Sequence, residues 1–206
     1  PDILGEWLVL HAVSNGLEID PIMDVAWEVS PVQTAVFLTR VAQDFPFHPA
    51  TSRLVGFVPS SQVGTSLFQL ISVELSSVLG KAQSATGKTV RIPDTLVEGL
   101  EVQAGLRNSK ALVVLAVFLS EGIAVQQNER RAYKLFREAA NNNDLQGLLF
   151  LAICYRNGIG VDVDLPKAIS CYEKAAELGN YEQAAYVGLC FSNGDGVPKN
   201  PVLARK

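Results

Sequence analysis

Histidine and cysteine are scarce in this chain, two and three among 206 residues. His11 and His48 have no His, Cys or Glu at ligand spacing, so a metal centre or a nucleophile–base pair lacks its residues. Cys154, Cys171 and Cys190 are odd in number and miss the Cys-x-x-Cys spacing of a zinc or redox site, which implies free thiols in a reduced compartment. Charge is low as well: 18% charged residues and a net charge of −4 give nucleic acid or an anionic membrane no general attraction. No apolar run reaches about 18 residues and no basic stretch leads an apolar one at the N-terminus, so direct membrane insertion is not expected. The location is read as cytoplasmic, while a chain that begins with Pro1 leaves room for a removed targeting signal.

Lysine is absent from residues 1–80, which carry Arg40, Arg53 and eight acids for a net −6, whereas the remainder sums to +2. Pro21, Pro31, Pro46, Pro49 and Pro59 also fall in this first part, between apolar runs broken by Ser and Gly. Helices are expected at about 2–14, 31–44 and 64–83, with Pro31 in a first-turn position. The interval 45–63 is turn-rich, with Val55, Phe57 and Val58 as a candidate short strand.

What the later part does contain is a period. Gly122, Gly158 and Gly194 stand 36 residues apart, and the same step joins Val125 to Val161 and Val197, Asn128 to Asp164 and Asn200, and Ala132 to Ala168 and Ala204. Leu115, Leu151 and Val187 form an apolar column, as do Leu119, Tyr155 and Phe191. A helix-turn-helix unit accounts for these columns. Each glycine ends a first helix where a left-handed residue is required, and each Asx opens a second by accepting free backbone amides. Val161 and Val197 read as apolar plugs turned inward in the loop. On the second helix Ala168, Tyr172, Ala175 and Ala176 share an inner face whose small members permit close packing.

The segment from Leu151 through Tyr155, Gly158, Gly160, Val161, Asp164, Ala168, Tyr172, Ala175 and Ala176 to Gly179 resembles the Sel-1-like repeat, a relative of the tetratricopeptide repeat. Units at 109–144, 145–180 and 181–206 carry it, the last ending mid-repeat, with Gly194 and Gly196 at the glycine positions of the third. The first unit has Ala124 in place of the second glycine and Asn143 in place of the later one. Further back, Pro93 to Asn108 resembles a second helix and Leu79 to Val90 the helix before it, with the loop slipped by one residue. Residues 72–108 are therefore read as a degenerate or capping repeat, and 1–71 as a helical N-terminal region that caps or docks on the solenoid. The resemblance implies an all-α, right-handed α/α superhelix that binds a protein or peptide on its concave side, without catalysis, cofactor or metal. Disulfide-stapled members of the family carry cysteine where this chain has Ala176 and Ala184.

The first helices of the units, around Leu112–Phe118 and Leu148–Cys154, are apolar on nearly every side. Repeat stacking leaves a second ladder over: Val114 with Phe118, Phe150 with Cys154, and Tyr186 with Cys190. A partner segment, the N-terminal half folded back, or a deep solenoid interior would each cover it. The ladder is taken as the concave docking surface. Ala82 to Thr89 also fits a relaxed phosphate-loop pattern, but the expected helix before it and Pro93 after it oppose that reading. A second reading makes residues 1–80 part of a larger enzyme or regulatory protein whose substrate the repeats recruit, which predicts a deep polar pocket there.

Overall fold

In the computed structural model, residues 3–179, 187, 189–194, 198 and 199 are described, except for the side chains of 3–5 and of Val63. The chain divides into two units, Pro1–Leu106 and Arg107–Lys206. Among the described residues the regular elements are all helices.

The first unit holds α1 (Ile3–Ser14), α2 (Asp20–Val29), α3 (Pro31–Asp44), α4 (Thr51–Val55), α5 (Gln62–Thr86) and α6 (Asp94–Gly105). Helix α2 was not anticipated: Pro21 reads as a breaker, yet it stands in the first turn, where its missing N–H removes no bond. The Thr34 hydroxyl donates to the carbonyls of Ser30 and Ala26 at 2.9 Å, pinning the α2–α3 corner. Trp27 of α2 meets Phe68 of α5 edge to face, centroids 6.3 Å apart, in a core shared with Leu38, Val41 and Leu75. No strand forms over 45–63. Pro46, Pro49 and Pro59 remove amide donors that a ladder needs, and the Thr51 hydroxyl turns the chain back onto the Phe45 carbonyl at 2.7 Å as α4 begins.

The expected limit at 71/72 falls inside α5, which runs without interruption to Gly87, left-handed at φ +66°. Gly99 of α6 lies against Ser72 so closely that a Cβ there would stand 2.6 Å from the serine oxygen. The buried face of α6, Leu96, Leu100, Gln103 and Ala104, occurs 36 residues before Ala132, Phe136, Ala139 and Ala140.

The second unit holds α7 (Ser109–Glu121), α8 (Glu129–Asn141), α9 (Leu145–Asn157) and α10 (Leu165–Glu177), antiparallel neighbours in sequence order. Its corners repeat atom by atom. Gly122 and Gly158 are left-handed at φ +73° and +76°, and Gly194 follows at +83°. The amides of Gly158 and Ile159 both reach the Cys154 carbonyl, at 2.8 and 3.1 Å, and those of Gly122 and Ile123 both reach that of Phe118. Asn128 N–H then bonds Leu119 O at 2.7 Å, as Asp164 N–H bonds Tyr155 O at 2.8 Å. Asn128 and Asp164 cap α8 and α10 by accepting from the amides of Arg131 and Lys167, both at 3.0 Å.

Between repeats the match continues. Asn142 and Leu178 end α8 and α10 at φ −81°, and Leu106 ends α6 at −80°. The next residues, Arg107, Asn143 and Gly179, all have positive φ. Val161 and Val125 are half-buried, and in the first repeat the loop side chain enclosed by protein is Ile123. Val197, Gly196, Asn200 and Ala204 lie outside the described residues.

Candidate protein-docking face

Helix α9 is seated at its start by two features. The Asp144 carboxylate accepts from the Gly147 amide at 2.8 Å, and Gly147 has no Cβ because one would stand 2.7 Å from both Ala139 Cβ and Ala140 N of α8. That close approach sets the rotation of α9. Leu148, Leu151, Ala152 and Cys154 then point into protein, while Leu149, Phe150 and Ile153 remain half-open. Gln146, Leu149, Phe150, Ile153 and Arg156 of this helix, with Tyr172 of α10, line a shallow depression of about 270 Å³. The Phe150 ring stacks on Phe136 of α8 at 4.9 Å and 14°, so the repeat before it holds the side chain in place.

The expected ladder is placed unevenly. Val114 is 8% exposed, Phe118 and Cys154 are 1% and Cys190 is 4%, so these four are enclosed. Phe150 keeps an open edge, and Tyr186 lies outside the described residues. The residue that sequence reasoning missed is Ile153. At about 100° per residue it lies some 160° from the buried Leu151, whereas Cys154 lies only about 60° away. The column through Ile153 continues to half-buried Val117 and to Leu189, which is 61% exposed. The signature residues Ala168, Tyr172 and Ala175 are buried as expected, with Ala176 half-buried. Ala168 and Tyr172 share one core cluster with Val187 and Cys190 of the next repeat.

A second feature went unread in the sequence. The hydroxyls of Tyr133 and Tyr155 meet at 3.0 Å, with Arg137 over the Tyr133 ring and Lys167 over that of Tyr155, at 5.6 and 5.5 Å. Burial, with the Tyr133 hydrogen bond, pushes Tyr155 up to about 12. Burial likewise pushes the Cys154 thiol up to about 11 and raises that of Cys171. These groups therefore stay protonated at neutral pH, where a thiol nucleophile would need the opposite shift. The three cysteines are free.

The remaining candidates resolve into local structure. His11 stacks on Trp7 at 5.0 Å, and His48 Nδ1 accepts from the Ala50 amide at 3.2 Å. Among the described residues no three His, Cys, Asp or Glu side chains gather closely enough to hold a metal ion. Residues 82–86 are helical, residues 88–93 form neither helix nor strand, and Lys88 lies over the Phe47 ring, so no strand–loop–helix cradle surrounds the phosphate-loop pattern. The groove in the first unit is lined chiefly by apolar side chains, with Ser30, Gln33 and Thr34 its polar members, unlike the polar pocket an enzymatic reading predicts. No described helix is long and apolar enough to cross a membrane.

The Sel1 repeat family model matches residues 109–144, 145–180 and 184–206. The chain is similar to a solved Sel1 repeat protein from Oxalobacter formigenes, at 25% identity over 53% of this chain and 83% of that one, with a TM-score of 0.48. It is also similar to a protective antigen of uropathogenic Escherichia coli strains that displays an SLR fold. That match has 21% identity and a TM-score of 0.60, covering 92% of this chain but 39% of the antigen's length. No curated protein matches the sequence.

Proposed function

We propose that this chain, a Sel1-like repeat protein from residue 109 onward, is a non-catalytic adaptor binding a protein or peptide along the open side of its first helices, as such repeats generally serve as protein-interaction scaffolds. The observation that carries this reading is the half-open stripe Leu149, Phe150 and Ile153, held by the stacking of Phe150 on Phe136. A preset apolar stripe with Gln146 and Arg156 near its ends favours an extended or helical segment carrying two or three apolar anchors. Val114, Phe118, Cys154 and Cys190 support the stripe from the core.

Residues 72–108 are read as a degenerate fourth repeat. Support comes from the shared 36-residue register of the α6 face and from the positive φ at Arg107, Asn143 and Gly179. Free thiols and the slightly acidic balance favour a reducing, cytoplasmic setting and no nucleic-acid role. The test is capture by the full chain followed by direct titration of the purified captured protein. Ile153→Glu is expected to weaken that binding at least about tenfold, or ~1.4 kcal/mol, with the fold retained. Equal binding by wild type and variant would refute the site.

A further inference from the structure

Helix α8 carries Arg130, Lys134 and Arg137 at steps of four and three residues, which gather on one stripe of a helix at about 100° per residue. All three are exposed, and the stripe lies across the helix from the buried Ala132, Phe136 and Ala139. Neighbouring cations at this spacing repel and cost helix stability. The repeat architecture does not call for them, since α10 has Pro166, Ser170 and Glu173 at the same repeat positions. Arg137 is held over the Tyr133 ring at 5.6 Å. Arg130 and Lys134 have no ion-pair partner among the described residues.

Helix α6 holds the opposite charge in the same register. Asp94, Glu98 and Glu101 stand 36 residues before Arg130, Lys134 and Arg137, one for one. They too lie across their helix from its buried side chains, Leu96, Leu100 and Gln103. Asp94 and Glu98 are exposed and Glu101 is half-buried. Like the cations of α8, Asp94 and Glu98 have no ion-pair partner among the described residues. The two units carry the same signs as their rows, a net −6 over residues 1–106 and +2 over 107–206.

We infer that the basic row of α8 docks a second copy of this chain through the acidic row of that copy's α6. Both halves of a complementary pair stand on one sequence with matched spacing, and that singles out the partner. An unrelated acidic protein would account for the α8 row and leave the α6 row without a use. A long polyanion such as nucleic acid would meet Glu129 and Asp162 beyond Arg130, and Glu138 beyond Arg137. Rows of exposed charge drive weak association that salt suppresses. The contact uses none of the residues of the α9 stripe, and its test does not depend on that reading.

The test is sedimentation velocity of the full chain over a range of concentrations, at low and at high salt. Reversible self-association is expected at low salt and should fade as salt is raised. R130E/K134E and D94K/E98K each set like charge against like charge, and each is expected to weaken the association at least about tenfold. All four positions are exposed, so both variants should keep the wild-type circular dichroism spectrum and melting transition. An equimolar mixture of the two variants brings opposite charges together again and is expected to associate where neither does alone. Should D94K/E98K fail to fold, the salt dependence and R130E/K134E stand by themselves. A wild type that stays monomeric at low salt, association that salt strengthens, or undiminished association of either folded variant would overturn the proposal. So would polyglutamate or single-stranded DNA binding the chain more tightly than the copies bind each other.

Discussion

Ala124 and Gly160 occupy the same loop position 36 residues apart and share a left-handed backbone, φ +54° and +67°. Their surroundings differ. A Cβ on Gly160 would stand 2.1 Å from the Glu129 carbonyl oxygen and 2.9 Å from the Arg130 amide, whereas Ala124 is exposed. The second repeat thus lays its loop directly against the backbone that opens α8.

Gly160→Ala should therefore be among the most damaging single-methyl additions in the chain. A left-handed alanine costs about 1–2 kcal/mol, and overpacking against backbone adds about 1–3 kcal/mol. Urea denaturation followed by far-UV circular dichroism should show a loss of about 2–4 kcal/mol. A loss smaller than that of an exposed-site control would mean that the loop does not bear on α8.

Ala124→Gly should act in the opposite direction. Relief of the left-handed penalty, about 1–2 kcal/mol, is offset by about 0.5–1 kcal/mol of added chain entropy in glycine. A net gain of up to about 1 kcal/mol is expected, read as a rise in melting temperature. A fall would show that the penalty at this corner is relaxed by means other than glycine.

The corners were the legible part of this sequence, because a positive φ and an unpaired helix amide each demand a narrow set of side chains. Gly122, Gly158, Asn128 and Asp164 therefore declare their backbone roles. The rotation of the first helices was not legible. Helix α9 is apolar through its middle, with Gln146 and Arg156 marking the open side only near its ends, and the choice between Cys154 and Ile153 turned on Gly147 packing against Ala139. Helix α2 was hidden for a different reason: Pro21, which stands in its first turn, reads as a breaker. Helix α5 was expected over about 64–83, but its boundaries, Gln62 and Thr86, depend on the Ser61 cap and on Gly87.

The two second-helix caps should respond differently to acid. Asn128 is neutral, and Asn128→Ala should cost about 1 kcal/mol at any pH. Asp164 is held below its ordinary 3.8 by its hydrogen bonds from Lys167, the side-chain contact at 2.7 Å first and the backbone amide second. A depressed carboxyl contributes stability above its unfolded value and loses it as pH falls through the lower folded one. Asp164→Asn should keep the cap and remove that part of the acid sensitivity. Identical acid profiles for wild type and variant would disprove the role.

The tyrosine pair predicts the reverse dependence at the alkaline end. Tyr155 is raised from 10.0 to about 12, first by burial and then by its hydrogen bond to Tyr133, while Arg137 pulls the other way. A folded value above the unfolded one means that the native state holds its proton longer, so this contribution is complete below pH 10 and is lost as pH rises toward 12. Ultraviolet titration of the phenolates should show a late-ionising tyrosine among the five in the chain. Tyr133→Phe should bring that transition down toward the ordinary range, because the hydroxyl partner is removed while the ring contact at 5.8 Å stays. Tyr155→Phe should instead abolish the late transition. A late transition that survives Tyr155→Phe would assign it to another tyrosine and remove the hydroxyl contact as the link between α8 and α9.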